Sequence, residues 1–401
     1  MCRGLADRLM NGFSVAEYRK VLKVRNVLHL KVIVLKAAVL YRYSKIKEKP
    51  LKIEDVDVER PKSGEILLKV KSAGICRSDM HVIEGKTSLP LPVVLGHEFM
   101  GEVEDVGEGV TSVCRGDIVV SSPVWPCGKC TNCITGHENL CVLATALRTK
   151  GVLLDGTTRL RSHDGKYIYT FLGGGFAEYA VVPEFGISKL PPQLRGECYA
   201  ILGCAVITAY NAVINTAKVR LGEKVAIFGV GGIGVNLIQF CKIAGATEII
   251  AVDIIDKKLS LAKEFGATYV INSSEKDPIN EIRKVTNGGA QVTFEAVGLP
   301  GTIYQAIEST HVGGKAVLLG MMPMNAPAQI HAARVVRNGI RILGSYNGRP
   351  RIDLPVIFEL IVRGMLDVDK LVTKRWSLEQ INEAFETLEK GEVIRSIVIP
   401  T

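Results

Sequence analysis

Between Lys224 and Asp253 the chain carries a pattern that few folds accommodate. Lys224-Val225-Ala226-Ile227-Phe228 is an apolar run of strand length. It leads directly into Gly229-Val230-Gly231-Gly232-Ile233-Gly234. A helix-like stretch follows through Ala244 and stops at Gly245, and a second apolar run, Glu248 to Val252, ends at Asp253. The glycines have separate jobs in such a unit. Gly229 permits a tight turn, Gly231 lets the backbone approach a pyrophosphate, and Gly234 lets the helix pack on the strand. The helix that opens around Gly232 presents unpaired N–H groups to the phosphates. Asp253, 19 residues past Gly234, can accept hydrogen bonds from an adenosine ribose and repels a 2′-phosphate, which favours NAD over NADP. Two plainer readings stand beside this one: a glycine-rich turn in a nucleotide-free α/β domain, and an Asp253 that only caps a helix.

The α/β alternation continues beyond this block. Strands are expected at Ala267–Asn272, Val292–Ala296 and Lys315–Leu319, with a helix over Pro278–Thr286. Val297-Gly298 and Gly320-Met321 then fall at strand C-terminal ends, where doubly wound sheets bind ligands. Upstream the pattern changes to short strands between Gly/Pro turns, at Glu65–Val70, Met100–Val106, Asp117–Ser121 and Ala177–Val182. That pattern predicts an antiparallel or barrel-like lobe.

The chain has 401 residues, long enough for two or three domains of ordinary size. A composition of 47% hydrophobic and 23% charged residues excludes a disordered chain and a disulfide-held miniprotein. No apolar run reaches the roughly 18 residues of a membrane span; Val32 to Leu40 is broken by Lys36. The net charge of +9 is concentrated at the start. Residues 1–34 hold seven Lys/Arg against Asp7 and Glu17, which leaves a mildly basic body and no case for nucleic-acid binding. This segment lacks the apolar core and cleavage site of a secretory signal. A strand-like sequence starts at Leu35, so residues 1–34 are read as a disordered or artefactual extension; a genuine basic arm is the alternative.

Four of the ten cysteines stand as Cys127-x2-Cys130-x2-Cys133-x7-Cys141 in a turn-rich loop. Thiolates at this spacing wrap one ion, and four sulfurs around zinc leave no open position, so this site is read as one that folds a lobe and does no chemistry, with an iron–sulfur cluster or unrelated surface cysteines as the alternatives. Cys76, His97 and Cys204 are scattered; each alone reads as a buried thiol or an ordinary histidine, although a catalytic zinc takes three such ligands plus water. Cys2, Cys114, Cys198 and Cys241 are read as ordinary residues. Unpaired thiols in this number point to a reducing, cytoplasmic setting.

Taken together, Gly74-Ile75-Cys76-Arg77-Ser78-Asp79, Gly96-His97-Glu98, the four-cysteine run, Cys204 and the glycine fingerprint resemble the zinc-containing medium-chain alcohol dehydrogenases, over about residues 35–401. The resemblance implies an α/β protein with a GroES-like strand-rich catalytic domain, 35–205 and 349–401, split by a doubly wound Rossmann NAD-binding domain, 206–348, with the active cleft between the two. It implies one catalytic zinc on Cys76, His97 and Cys204 and one structural zinc on Cys127, Cys130, Cys133 and Cys141. Glu98 would lie beside the catalytic zinc as a transient ligand, and Asp79 would orient His97. Arg77 and Arg395 would contact the pyrophosphate, Lys258 the adenosine ribose beside Asp253, and Thr208 the nicotinamide. Ser78 and His81 resemble the family's proton relay, their plainer readings being a turn residue and an exposed loop histidine.

The reaction implied is reversible hydride transfer between a primary or aromatic alcohol and NAD. Pro123, Val124 and Trp125 are expected to border an apolar pocket. The stretch Leu147–Thr170 looks like the insertion of the longer members. A dehydrogenase of a formaldehyde–thiol adduct is the close alternative within the family. Two readings lie outside it: a zinc-independent enone reductase on the same scaffold, which has no use for Cys76, His97 and Cys204 together, and a zinc-stabilised nucleotide-binding sensor without turnover. The partners expected are a small alcohol or aldehyde and further copies of the chain, as a homodimer or homotetramer, with neither nucleic acid nor membrane.

Overall fold

The computed structural model describes residues 24–27, 30–322 and 326–400, and the chain forms two compact units. The first comprises residues 1–203 and 372–401, the second 204–371.

The first unit is built on strands. Two of them, β1 (Val24–Val27) and β2 (Leu30–Leu40), form an antiparallel hairpin. β3 (Leu51–Val58) pairs with β2 along its length, from Ile33↔Val58 to Leu40↔Leu51. The strand expected from Leu35 therefore starts earlier, at Leu30, and Val32 is already buried. Of the expected N-terminal extension, residues 1–23, 28 and 29 lie outside the described residues. Next come β4 (Glu65–Gly74), β5 (Val93–Val94), β6 (Phe99–Val106) and β7 (Ile118–Ser121). They are followed by β8 (Leu160–Arg161), β9 (Tyr167–Thr170), β10 (Tyr179–Pro183) and β11 (Ile187–Lys189).

One sheet runs β1-β2-β3-β8-β9-β5 and closes on itself, because β5 also pairs with β2. Closure leaves β2, β3, β8, β9 and β5 without a free edge, as in a small barrel. β8 and β9 come from the Leu147–Thr170 stretch, which is thus part of the sheet. Its Arg159 is only 2% exposed. The guanidinium meets Glu65 through Nε (2.9 Å) and Nη2 (2.5 Å), and Nη2 also lies 2.7 Å from Asp155.

The second unit is a parallel sheet flanked by helices. Its strands are β12 (Lys224–Phe228), β13 (Glu248–Asp253), β14 (Tyr269–Asn272), β15 (Ala290–Glu295), β16 (Thr310–Leu318) and β17 (Arg341–Gly344). Their order is β14-β13-β12-β15-β16-β17, with every pairing parallel. This is the doubly wound order, with its switch point between β12 and β15. The inner strands are apolar on both faces, as a sheet covered by helices requires: Val225, Ala226, Ile227 and Phe228 are all buried.

The chain then returns to the first unit through β18 (Val372–Ser377) and β19 (Arg395–Ile399). β19 pairs with β4, giving the order β11-β7-β6-β4-β19-β18, with β10 also on β4. This return comes after Leu371, later than the boundary expected at 348. The helix Pro350–Val362 stays with the second unit, where Asp353 is buried beneath Arg349, at 2.7 Å, and Asn215, at 3.2 Å.

Candidate metal centres and cofactor site

The loop after β7 brings four thiols together. Cys130 Sγ lies 3.5 Å from Cys133 Sγ and 3.9 Å from Cys141 Sγ, and Cys127 Sγ lies 4.0 Å from Cys133 Sγ. Four sulfurs about 2.3 Å from a central zinc stand about 3.8 Å apart in a tetrahedron, so this spacing fits the ion and is far too long for the ~2.05 Å of a disulfide. Backbone N–H groups complete the shell: Cys130 N–H points to Cys127 Sγ at 3.4 Å and Cys127 N–H to Cys141 Sγ at 3.3 Å. N–H groups of Cys133 and Val142 lower the Cys130 thiol to about 6. Burial and the neighbouring sulfur of Cys130 raise Cys133 to about 12.

The second ligand set is assembled by the fold. Cys76 precedes the short helix Arg77–Ile83, which follows β4. His97 lies in the lead-in to β6 and is 3% exposed. Cys204 is bonded to Gly203, the last residue of the first unit's N-terminal segment. Gly203 is pressed against β7; a side-chain carbon there would sit 1.9 Å from Ser121 O, which is why the position needs a glycine. The Ser72 hydroxyl on β4 donates to Glu197 O at 2.7 Å and ties down the 3-10 turn Glu197–Gly203. The ligand atoms of Cys76, His97 and Cys204 lie within 4.8 Å of one another.

Asp79, fully buried, fixes the imidazole. Its carboxylate is 3.1 Å from His97 Nδ1 and accepts Gly96 N–H at 3.0 Å. Nε2 is left buried, without a hydrogen-bond partner among the described residues. Burial pulls the His97 pKa down, but the charges of Asp79 and Cys76 outweigh it and hold the ring at about 10, so the ring nitrogen facing the thiols is strongly basic. Two half-buried sulfurs and one buried, basic imidazole nitrogen converging on one point suit zinc with an open fourth position.

In the second unit the glycine turn has the shape a pyrophosphate needs. Gly229 has φ +93°, and a side-chain carbon there would lie 2.6 Å from Val297 Cγ2; one at Gly234 would lie 1.9 Å from Gly229 O. At Gly231 such a carbon would meet nothing within 4 Å, so the space in front of the turn is open. The helix Gly232–Ile243 has no side-chain cap on its first N–H groups, which leaves them for an anion. Asp253 accepts Val230 N–H at 2.8 Å through Oδ2, and Ile254 and Ile255 N–H at 2.8 and 3.2 Å through Oδ1. Its carboxylate is locked at the end of β13, beside the turn. Lys258 is half-buried on the helix Asp256–Glu264; Thr208 is 7% exposed on the helix Ala205–Tyr210. Val297 is exposed and Gly298 buried, at the end of β15.

Comparison with known proteins agrees with both halves. Residues 62–192 match the family model of the alcohol dehydrogenase GroES-like domain, and residues 232–363 that of the zinc-binding dehydrogenase. An S-(hydroxymethyl)glutathione dehydrogenase of Escherichia coli is 39% identical over 356 residues, covering 87% of this chain and 96% of its own length. A class-3 alcohol dehydrogenase of Cereibacter sphaeroides is 36% identical over 368 residues, covering 88% and 96%. The chain belongs to the zinc-containing medium-chain alcohol dehydrogenase family. The crystal structure of benzyl alcohol dehydrogenase from Acinetobacter calcoaceticus superposes with a TM-score of 0.86 at 31% identity, covering 92% of this chain and 99% of that one. The family uses zinc and a nicotinamide dinucleotide, as the two ligand sets and the glycine turn require.

The remaining expected residues of this dehydrogenase fall in the first unit. Arg77, Ser78 and His81 share one short helix; Arg77 is exposed, the other two half-buried. Ser78 and His81 are three apart and so lie on one face. Burial lowers the His81 pKa below its ordinary 6.5, and the charges of Lys86 and Arg77 push the same way. Glu98 is fully buried and Arg395 is 6% exposed. The two were expected to do separate jobs, yet their side chains meet as an ion pair. Pro123 and Trp125 line a narrow crevice together with Leu147, Arg148 and Leu172, whereas Val124 does not. The sequence reading named no lining residue from the Leu147–Thr170 stretch. An arginine next to a leucine in a charged, glycine-rich segment carries no motif to find it by.

Proposed function

We propose that this dehydrogenase oxidises a hydroxymethyl adduct of a thiol, taking the adduct's primary alcohol to the thiol-bound formyl group with NAD as hydride acceptor. The observation that carries the proposal is the 39% identity, over 96% of its length, to an enzyme named for that substrate.

In this reading Cys76, His97 and Cys204 hold the catalytic zinc, and Asp79 keeps His97 in the tautomer that offers Nε2. When bound, zinc supplies a Lewis acid that eases loss of the hydroxyl proton, and NAD supplies the hydride acceptor. Ser78 receives the proton, and His81, neutral because its pKa is lowered, passes it to solvent. The Asp253 carboxylate receives the ribose hydroxyls and turns away a 2′-phosphate, so NAD is preferred to NADP. Glu98 and Arg395 form one buried pair, and Arg77 is the exposed cation available to the pyrophosphate.

The second reading is a primary or aromatic alcohol as substrate, favoured by the likeness to benzyl alcohol dehydrogenase. Initial rates of NADH formation separate the two. Formaldehyde premixed with glutathione should exceed benzyl alcohol and ethanol in kcat/KM by at least about ten-fold. The reverse order would replace the first reading with the second.

A further inference from the structure

One buried carboxylate in the second unit belongs to neither metal site nor to the glycine fingerprint. Glu295, the last residue of β15, is fully buried. Its Oε1 accepts three hydrogen bonds, from Val297 N–H (3.0 Å), Gly298 N–H (2.8 Å) and the Thr302 hydroxyl (2.7 Å). Its main-chain carbonyl accepts two more from the loop after the neighbouring strand, Leu319 N–H at 2.8 Å and Gly320 N–H at 3.0 Å. Oε2 is buried without a hydrogen-bond partner among the described residues. A side-chain carbon at Gly320 would sit 2.6 Å from that oxygen and 2.1 Å from Gly298 N, so the two loops meet backbone to backbone across it.

Burying a carboxylate is expensive, and holding one turn in a purely structural role could be done by a neutral side chain. The location gives the cost a purpose. The turn Val297–Gly298 lies at the C-terminal end of β15, next to β12 and across the switch point from Asp253. Each half of a doubly wound sheet receives one mononucleotide, so this turn belongs to the half opposite the adenosine. Val297 Cγ2 also packs on the first glycine of the fingerprint. We infer that Glu295 is a positioning residue for the nicotinamide half of the cofactor, fixing the Val297–Gly298 turn and its spacing from Gly320 before the cofactor arrives. The inference rests on the NAD-binding reading of this unit and adds to it a residue outside the fingerprint.

The test uses Glu295→Gln in the full-length zinc-loaded enzyme, with NADH and AMP each titrated by calorimetry. Glutamine offers its single oxygen to the three donors only as a neutral acceptor, which weakens all three bonds, and it places an NH2 donor in the buried space where Oε2 has no partner among the described residues. NADH affinity should fall about ten-fold, the size of one strained buried hydrogen bond, while AMP, which touches only the adenosine half, changes by less than about two-fold. Thr302→Val, which removes a single donor, should move the NADH-to-AMP ratio the same way by a smaller factor; it serves if the glutamine variant does not fold. An unchanged ratio in the folded variants would overturn the proposal, since a role confined to stability weakens both ligands together. Loss of AMP binding in the unmodified enzyme would overturn the NAD reading itself and this inference with it.

Discussion

The four-cysteine loop and the Cys76–His97–Cys204 set use similar ligand atoms but are built in different ways. The first draws all its ligands from residues 127–141, one loop, with sulfurs 3.5–4.0 Å apart where distances are resolved. Nothing beyond that loop is needed to close the tetrahedron. The second takes a thiol from the end of β4, an imidazole from before β6 and a thiol from the edge of the unit. It then spends a fully buried aspartate to aim the imidazole. A local, closed set converts metal affinity into folding energy. A dispersed set with an open corner is held by a fold that already exists, so it can give up a coordination position to substrate.

This contrast predicts that activity and stability separate between the sites. Cys76→Ala should cut turnover by at least about 100-fold and leave about one zinc per chain by elemental analysis, with the melting temperature nearly unchanged. A variant that kept its kcat would dissolve the distinction, because the dispersed set would then be an accident of packing.

Cys130→Ser is the complementary test. The melting transition of the first unit should fall by about 5–10 °C, while kcat of the folded fraction stays within about two-fold. An unmoved transition with lost activity would mean that the closed site serves the chemistry after all. Both variants can be followed in one calorimeter run with a parallel zinc determination, so the comparison is made under the same conditions.

Asp79→Asn sharpens the comparison from inside the dispersed set. Asparagine keeps the shape but removes the charge that makes His97 basic and fixes its tautomer. Zinc affinity or activity should fall about 10–100-fold. The four-cysteine zinc should remain, so metal analysis after chelation should find about one ion where the parent retains two. Equal retention in variant and parent would show that the carboxylate does not act through the metal ligand.

The same contrast explains what the sequence could and could not tell. Ligands spaced by two and seven residues in one turn-rich loop are legible because the chain itself brings them together. The strand–glycine–helix–strand–Asp253 unit is legible for the same reason; its strand β12 has the expected limits, as does the later helix Pro278–Thr286. Cys76, His97 and Cys204 became a site only through family resemblance, since spacing alone is silent about residues that meet across a fold. Arg159 is an extreme case. It sits in a charged stretch that reads as an insertion, yet its guanidinium is buried against Glu65 on β4 of the other sheet. Glu295 escaped notice because a single acid at the end of an apolar strand has no local signature; only the donors that converge on it reveal its role. Where strand limits differed, pairing decided. β16 begins at Thr310, before the expected Lys315, because Thr310 pairs with Ala290 ahead of an irregularity in which β16 carries the extra residues before Lys315 pairs with Val292.

The smallest effect expected lies farthest from the metal. In the proposed relay His81 comes last, and burial together with Lys86 and Arg77 lowers its pKa below 6.5, so at neutral pH the ring is uncharged and free to accept a proton. Alcohol oxidation should therefore hold its rate down to that lowered pKa and fall below it, as the protonated ring can no longer accept. Aldehyde reduction needs the protonated ring and should instead gain as pH drops toward the same value. In His81→Gln both pH limbs should flatten between about pH 5 and 8, and kcat for oxidation should fall about ten-fold, less than a group at the reacting centre would cost, because water can take over the last transfer. Zinc content and melting temperature should stay at parental values, which separates this residue from every ligand above. A pH profile unchanged by the substitution would take His81 out of the relay and leave Ser78 to hand its proton to solvent by another path.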